Sequence, residues 1–113
     1  MSAIAALFNV PGTEQELAQW SAAHAIHHRD IIQAIFLATG IELPQFPLDP
    51  ITQDAIENWA AWHQQMHNDF QAVLGIAGYD LLDVDWQDRN QIAGFVFLNA
   101  SIHKQASDIL GIG

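Results

Sequence analysis

The chain contains no cysteine, which excludes disulfides, thiolate zinc sites and cysteine nucleophiles together. It has three basic residues against thirteen acidic ones, so its formal net charge is −10. A negative field of this strength repels nucleic-acid phosphates, and we expect no direct nucleic-acid binding. No apolar run approaches the ~20 residues of a membrane span, and the apolar start lacks the basic residues of a signal peptide. We therefore expect no membrane partner.

The motifs of common enzyme classes are also missing. The sequence has no Gly-rich phosphate loop, no G-x-S-x-G elbow and no H-E-x-x-H pair, and its serines show no spacing typical of a nucleophile. We therefore expect that the protein is not an enzyme. Charged residues make up 14% of the chain, against the usual ~25%. Much of the surface must be neutral or apolar, which suits a protein that is covered by partners.

What the sequence does contain is a motif that occurs three times, first at residue 20, again 39 residues later, and once more after another 36 residues. The three copies are Trp20-x-x-x-His24-x-x-x-His28, Trp59-x-x-x-His63-x-x-x-His67 and Phe95-x-x-x-Asn99-x-x-x-His103. A spacing of four residues places all three side chains of a copy on one face of a helix. The sequence therefore predicts an all-α fold built from a triplicated helix motif.

Capping signals bound the predicted helices. Thr13 and Glu16 form a capping box at the start of the first helix, and Asp49-Pro50 is a start signal for the second. The predicted helices span residues 13–38, then 49–75 or 49–78, and then 85–111. Connections of about ten residues are short beside helices about 35 Å long, which favours antiparallel neighbours.

The predicted architecture is thus an antiparallel three-helix bundle, with residues 13–113 as a single helical domain. Residues 1–12 are predicted to be an extended N-terminal arm, separated from the bundle by Pro11-Gly12. The first connection is Pro-rich, since Pro44 and Pro47 prevent the helix from continuing there.

The histidines form the main candidate site. Imidazoles four residues apart on one helix are typical metal ligands, so a cluster in the bundle could hold a transition metal such as zinc. The candidate ligands are His24, His28, His63, His67 and His103. The pair His63-x-x-x-His67 with His103-x-x-x-x-Asp108 is similar in part to hemerythrin-like proteins. That pattern also needs a His-x-x-x-Glu on another helix, which the first helix lacks.

The interpretation that we favour from sequence is a structural polar layer without a cofactor. Imidazoles and an amide that hydrogen-bond across a core fix helix register and pairing. Asn99 stands where the other two copies have His, which counts against a strict requirement for metal. The metal site is the alternative.

Several apolar side chains lie off the seams that the bundle would bury. A domain of this size cannot bury all of them, so we expect neighbouring subunits to cover them in a homo-oligomer. The predicted interface residues are Phe8, Phe36, Trp62, Phe97 and Leu98. The apolar arm from Ile4 to Phe8 is expected to act as a strap across an adjacent chain.

A family resemblance gives the remaining prediction. The run from Met66 through LGI at 74–76, the DLLDVD at 80–85, and a closing His103 followed by LGI at 110–112 carry it. In these features the chain resembles small proteins encoded among the structural genes of tailed bacteriophages. The resemblance implies a non-enzymatic structural or assembly protein of the virion, at the head–tail junction or on the capsid. Its partners would be capsid, portal or tail proteins, and it would be assembled in the host cytoplasm.

Overall fold

The computed structural model describes residues 3–48, 51, 55–78 and 80–112. Within these ranges the fold consists of helices that pack together, without a strand, so the all-α prediction is confirmed. The helices are α1 (Ala3–Leu7), α2 (Glu14–Thr39), α3 (Ile56–Leu74) and α4 (Arg89–Leu110).

Side-chain caps start two of the long helices. Thr13 Oγ1 accepts a hydrogen bond from the Glu16 N–H at 3.0 Å, as the capping box predicts. Asp88 Oδ1 accepts one from the Asn90 N–H at 2.9 Å, so α4 begins slightly later than the predicted start at Asp85. The predicted start of the second helix, Asp49-Pro50, lies outside the described residues.

Each long helix ends at a glycine in the left-handed conformation. Gly40, Gly75 and Gly111 have φ between 70° and 76°, where a Cβ would be strained. The N–H of each glycine donates to the carbonyl four residues earlier, which satisfies one of the free carbonyls of the last turn.

The three long helices run parallel, so the predicted antiparallel arrangement is wrong. At one level of the bundle Trp20 lies 6.2 Å from Trp59 and 6.4 Å from Phe95, ring centre to ring centre. One turn further along each helix, the rings of His24 and His63 lie 4.8 Å apart, and Asn99 Oδ1 lies 2.8 Å from His63 Nε2. Positions that correspond in the three copies therefore meet at the same level, which requires that the helices point the same way.

The connections are long enough to make this possible. Leu43 packs at the C-terminal end of the bundle, whereas Leu48 and Ile51 pack at the N-terminal end, so this stretch returns along the whole bundle. α2 has 26 residues and is about 39 Å long, while residues 40–55 in extended form reach about 50 Å. The second connection returns in the same way, with Ile76 at the C-terminal end and Leu81 at the N-terminal end.

The N-terminal segment is not an extended arm. Residues 3–7 form α1, which packs on α2 and α4 of the same chain. Ile4 and Leu7 are buried there against Ala100, and the Leu7 carbonyl accepts a hydrogen bond from Trp20 Nε1 at 3.2 Å. Their apolar surface is covered within the chain, so the prediction of an extended arm is wrong for residues 3–7. A contact of the segment from Ile4 to Phe8 with an adjacent chain stays a prediction.

In the described part of the chain no helix is both long and apolar enough to span a bilayer.

Candidate metal centre

A cluster of imidazoles fills the middle of the bundle. On its N-terminal side lie the rings of Trp20, Trp59 and Phe95, and on its C-terminal side a core that includes Ile31 and Phe70. All six histidines of the chain are buried, none exposing more than 1% of its surface. The parallel course of the helices produces this cluster, because it brings equivalent turns of the three copies to one height.

Six polar side chains converge on one point in two layers. Each long helix supplies one donor to each layer, four residues apart. The first donor layer, nearer the helix N-termini, is His24, His63 and Asn99. The second donor layer is His28, His67 and His103. The donor atoms are the Nε2 atoms of the histidines and Oδ1 of Asn99.

Seven contacts of 2.8 to 3.3 Å join these donor atoms. One ligand atom from each of the five histidines lies within 4.8 Å of every other. His24 Nε2 alone lies 3.1 Å from the Nε2 atoms of His28 and His103, 3.2 Å from that of His63 and 3.3 Å from Asn99 Oδ1.

The pattern of contacts is that of an octahedron seen along its threefold axis, which is two staggered triangles. Each corner then contacts two corners of its own triangle and two of the other, and faces the sixth across the centre. His24 contacts both partners in its own layer and two donors of the second layer, which leaves His67 opposite it. Threefold rotation gives the other opposite pairs, His63 with His103 and Asn99 with His28. No contact described among the donor atoms joins any opposite pair.

Hydrogen bonds alone do not account for this arrangement. An imidazole nitrogen carries either one proton or one lone pair, so it takes part in one conventional hydrogen bond. His24 Nε2 has four polar neighbours and His103 Nε2 has three. Nitrogens that crowd together in this way are typical of lone pairs directed at a shared cation. With an edge of 3.1 Å, each corner of a regular octahedron lies about 2.2 Å from the centre, close to the ~2.0–2.1 Å of a zinc–nitrogen bond.

Outer hydrogen bonds fix the orientation of two rings in the second donor layer. His67 Nδ1 lies 2.8 Å from Gln71 Oε1, which can only accept, so Nδ1 carries the proton and Nε2 presents its lone pair to the centre. Gln71 is held in turn, because its Nε2 donates to the Ala77 carbonyl at 2.6 Å. His103 Nδ1 lies 2.6 Å from His27 Nδ1, and His27 Nε2 lies 2.7 Å from Ser107 Oγ.

Stacking fixes the two histidines of the first donor layer. The His24 ring stacks on Trp20 with centres 4.6 Å apart, and the His63 ring stacks on Trp59 at 4.7 Å with an angle of only 10° between the planes. Nδ1 of His24 and Nδ1 of His63 are buried without a hydrogen-bond partner. The aromatic faces, rather than hydrogen bonds, therefore hold these rings.

Burial keeps the cluster neutral. Desolvation lowers the pKa of His24, His28, His63 and His103 well below the ordinary value of 6.5, and it lowers the pKa of His67 to about 4. Neighbouring imidazoles lower the pKa of His28 further, since protonating one ring disfavours charge on the next. At neutral pH each of these imidazoles is consequently uncharged and keeps a lone pair on one ring nitrogen, as metal binding requires.

The residues present fit a transition-metal ion. Imidazole suits zinc, copper, iron and nickel, and an amide oxygen is a weaker neutral donor. All six donors are neutral, so a divalent ion would keep its full charge inside the bundle.

The structure brings together all five histidines of the predicted metal alternative. It adds Asn99 as a sixth donor, although the asparagine at this position of the third copy counted against a metal in the sequence. His27 and Gln71 were missed as outer partners. Asn99 carried a usable signal, because it stands at a repeat-equivalent position and its side chain has a donor oxygen. The spacing of residues along the sequence did not distinguish His27 or Gln71 from their neighbours.

The predicted interface residues are placed in two groups. Phe36, Trp62 and Phe97 are exposed, with 48%, 36% and 65% of their surfaces accessible. Phe8 and Leu98 are partly buried within the chain, where Phe8 packs edge-on against Phe97 at 5.9 Å. A role of these residues in subunit contacts stays a prediction.

Comparisons with protein-family models, curated proteins and solved structures give no match for this chain.

Proposed function

We propose that the protein binds one divalent transition-metal ion at the six-donor centre, and that the ion holds the three parallel helices together. The pattern of contacts among the donor atoms carries this proposal. All of them are edges of one octahedron, and His24 Nε2 has more polar neighbours than hydrogen bonding can use.

The origin of the donors supports the structural effect of the ion. α2, α3 and α4 each supply two donors, so one ion would cross-link helices whose copies are separated by 36 to 39 residues. Metal sites of this kind couple binding to folding, because the unfolded chain does not hold the ligands together.

The first test is the metal content of protein purified without an affinity tag. We expect one equivalent of a transition metal, and we expect a chelator to lower the melting temperature by about 10 °C or more. A metal-free protein that gains no stability from any added divalent ion would overturn the proposal in favour of the structural polar layer.

A variant separates the two interpretations more sharply. His63→Leu replaces one donor by an apolar side chain of similar size, so the core stays filled. The variant should keep its helical spectrum, bind the metal much more weakly and lose less stability than the wild type when a chelator is added. Gln65→Leu, an exposed position on the same helix, is the matched control and should bind metal like the wild type.

The second candidate function is the structural role in a phage particle that the resemblance implies. The exposed rings of Phe36 and Phe97 favour it, since large apolar side chains in water are typical of contact surfaces. Phe97→Asp should reduce the mass measured by light scattering if this surface joins subunits. Mass spectrometry of purified particles tests the location in a virion, with capsid, portal and tail proteins as the expected partners.

A further inference from the structure

We infer that the centre selects ions that favour octahedral six-coordination, such as nickel(II), cobalt(II) and iron(II), over zinc(II), and that it holds the ion without an open position. This inference rests on the metal site proposed above and specifies which ion the site takes.

The number of donors favours an ion that prefers six-coordination. Structural zinc sites are almost always four-coordinate and tetrahedral. A four-coordinate ion at this centre would leave two of the six donors without a partner, although each of them is fully buried, His67 and Asn99 included. An octahedral ion engages all six and leaves none unsatisfied.

The rigidity of the donors also favours six-coordination. A site can adapt to a smaller coordination number only if some ligands swing away. His67 is held by Gln71 at 2.8 Å, and His103 by His27 at 2.6 Å. In the other layer the His63 ring lies flat against Trp59. Outer contacts of this kind fix the directions of ligands and thereby the geometry that a metal must accept.

The shape of the cluster matches an octahedron as well. The distances within the first donor layer are 2.8 to 3.3 Å, and those described within the second are 3.1 and 3.2 Å. The two contacts described between the layers, both made by His24, are 3.1 Å. Similar edges within and between the layers describe an octahedron rather than a prism stretched along its axis. No four corners of an octahedron form a tetrahedron, so a tetrahedral ion would require some of the ligands to shift.

An ion that binds all six donors would have no free coordination position. All six positions are taken by protein donors that expose no more than 1% of their surface, so neither water nor a substrate has a position to bind. Catalytic zinc sites, by contrast, keep one position open. The centre is therefore suited to holding an ion, as a structural or sequestering site, rather than to activating water.

Cobalt(II) is the probe for geometry, because tetrahedral cobalt(II) absorbs visible light intensely and octahedral cobalt(II) only weakly. We expect the wild-type protein loaded with one equivalent of cobalt(II) to show the weak octahedral bands. In competition at equal concentrations, we expect nickel(II) to displace zinc(II), with affinity at least about tenfold higher.

Asn99→Ala tests whether the amide oxygen belongs to the donor set, and Asn90→Ala, on the exposed face of the same helix, is its control. The first variant should strengthen the cobalt bands and reduce the nickel preference about tenfold, while the control changes neither. Circular dichroism verifies that both variants fold.

The possible failures are distinguishable. If no divalent ion binds stoichiometrically, the proposed function itself is wrong. If cobalt(II) binds with intense tetrahedral bands, or if zinc(II) displaces nickel(II), the metal site stands and the inference of an octahedral, saturated centre is overturned. The wild-type spectrum decides this even if Asn99→Ala does not fold.

Discussion

Each donor layer takes one side chain from each long helix, but the two layers are built differently. In the first, the imidazoles of His24 and His63 rest on indole rings and the third donor is an amide. In the second, all three donors are imidazoles, and two of them are held by hydrogen bonds to His27 and Gln71. Stacking fixes the plane of a ring but leaves its tautomer open, whereas a hydrogen bond from Nδ1 to a group that can only accept, such as Gln71 Oε1 at His67, fixes both. The second layer is thus the more strictly preset for metal.

Acidification is expected to have the largest effect on the stability of both layers. Because burial lowers the histidine pKa values in the folded state, the unfolded chain takes up protons first, and the stability of the ion-free protein falls as pH drops below about 6.5. The loss continues until the folded pKa is reached. For His67, with a pKa of about 4 in the fold, it amounts to about 3 kcal/mol.

Denaturant melts of ion-free protein between pH 7.5 and pH 4 measure this loss. His67→Leu and His63→Leu should each flatten the pH profile, because each removes one titrating group. A free energy of unfolding that stays constant from pH 7 to pH 5 would contradict the burial of neutral imidazoles.

Two single variants, each of which removes one donor from a different layer, compare the contributions of the two layers to metal affinity. His103→Leu should lower metal affinity by more than about 100-fold, and by more than His63→Leu. The reason is that the contact with His27 at 2.6 Å orients the His103 ring, so this variant removes a donor that is already oriented for the metal. Competition with a chromogenic chelator gives both affinities. Equal losses in the two variants would show that the outer hydrogen bond contributes nothing.

Asn99→Asp changes only the charge of the first layer. A carboxylate in place of the amide would partly neutralise a divalent ion, so we expect metal affinity to rise about tenfold or more. The ion-free protein should become less stable, because a carboxylate would then be buried among neutral rings. The two effects have opposite signs. A variant that is destabilised without tighter binding would mean that position 99 does not touch the ion.

The smallest expected effect is at the outer partner of the second layer. Gln71→Met keeps the length of the side chain but removes the acceptor for His67 Nδ1, and should weaken metal binding about tenfold. Trp59→Phe, which keeps an aromatic face under His63, should change the affinity less. Isothermal titration of both variants decides the order, and the reverse order would contradict the distinction between the layers.

Much of the fold could be predicted from local signals, but the direction of the helices could not. The cap at Thr13 and the glycines at 40, 75 and 111 mark helix ends where the structure has them. The antiparallel prediction failed because the connections were taken to be shorter than they are. The deciding quantity is the reach of extended chain, ~3.3 Å per residue against 1.5 Å in a helix, which lets a connection shorter than the helix return along it.

The same error concealed part of the site. Repeat-equivalent positions share a level only when the helices run parallel. The predicted polar layer of imidazoles and an amide therefore did not include the close approach of His24, His63 and Asn99 at one height. His27 has no polar counterpart in the other copies, and its contact with His103 depends on the packing of α2 against α4. Spacing along the chain does not contain that information.

The parallel course of α2, α3 and α4 makes the three copies interchangeable by rotation, which an antiparallel bundle would not allow. This is the symmetry of a cyclic trimer. In such a trimer each of three separate chains would supply one helix, and each helix would contribute one donor to each layer. Joining such chains makes assembly intramolecular, so the centre forms at any dilution. It also frees each copy to mutate alone, since a change in a homotrimer appears three times. Phe95 in place of tryptophan and Asn99 in place of histidine are single changes of this kind.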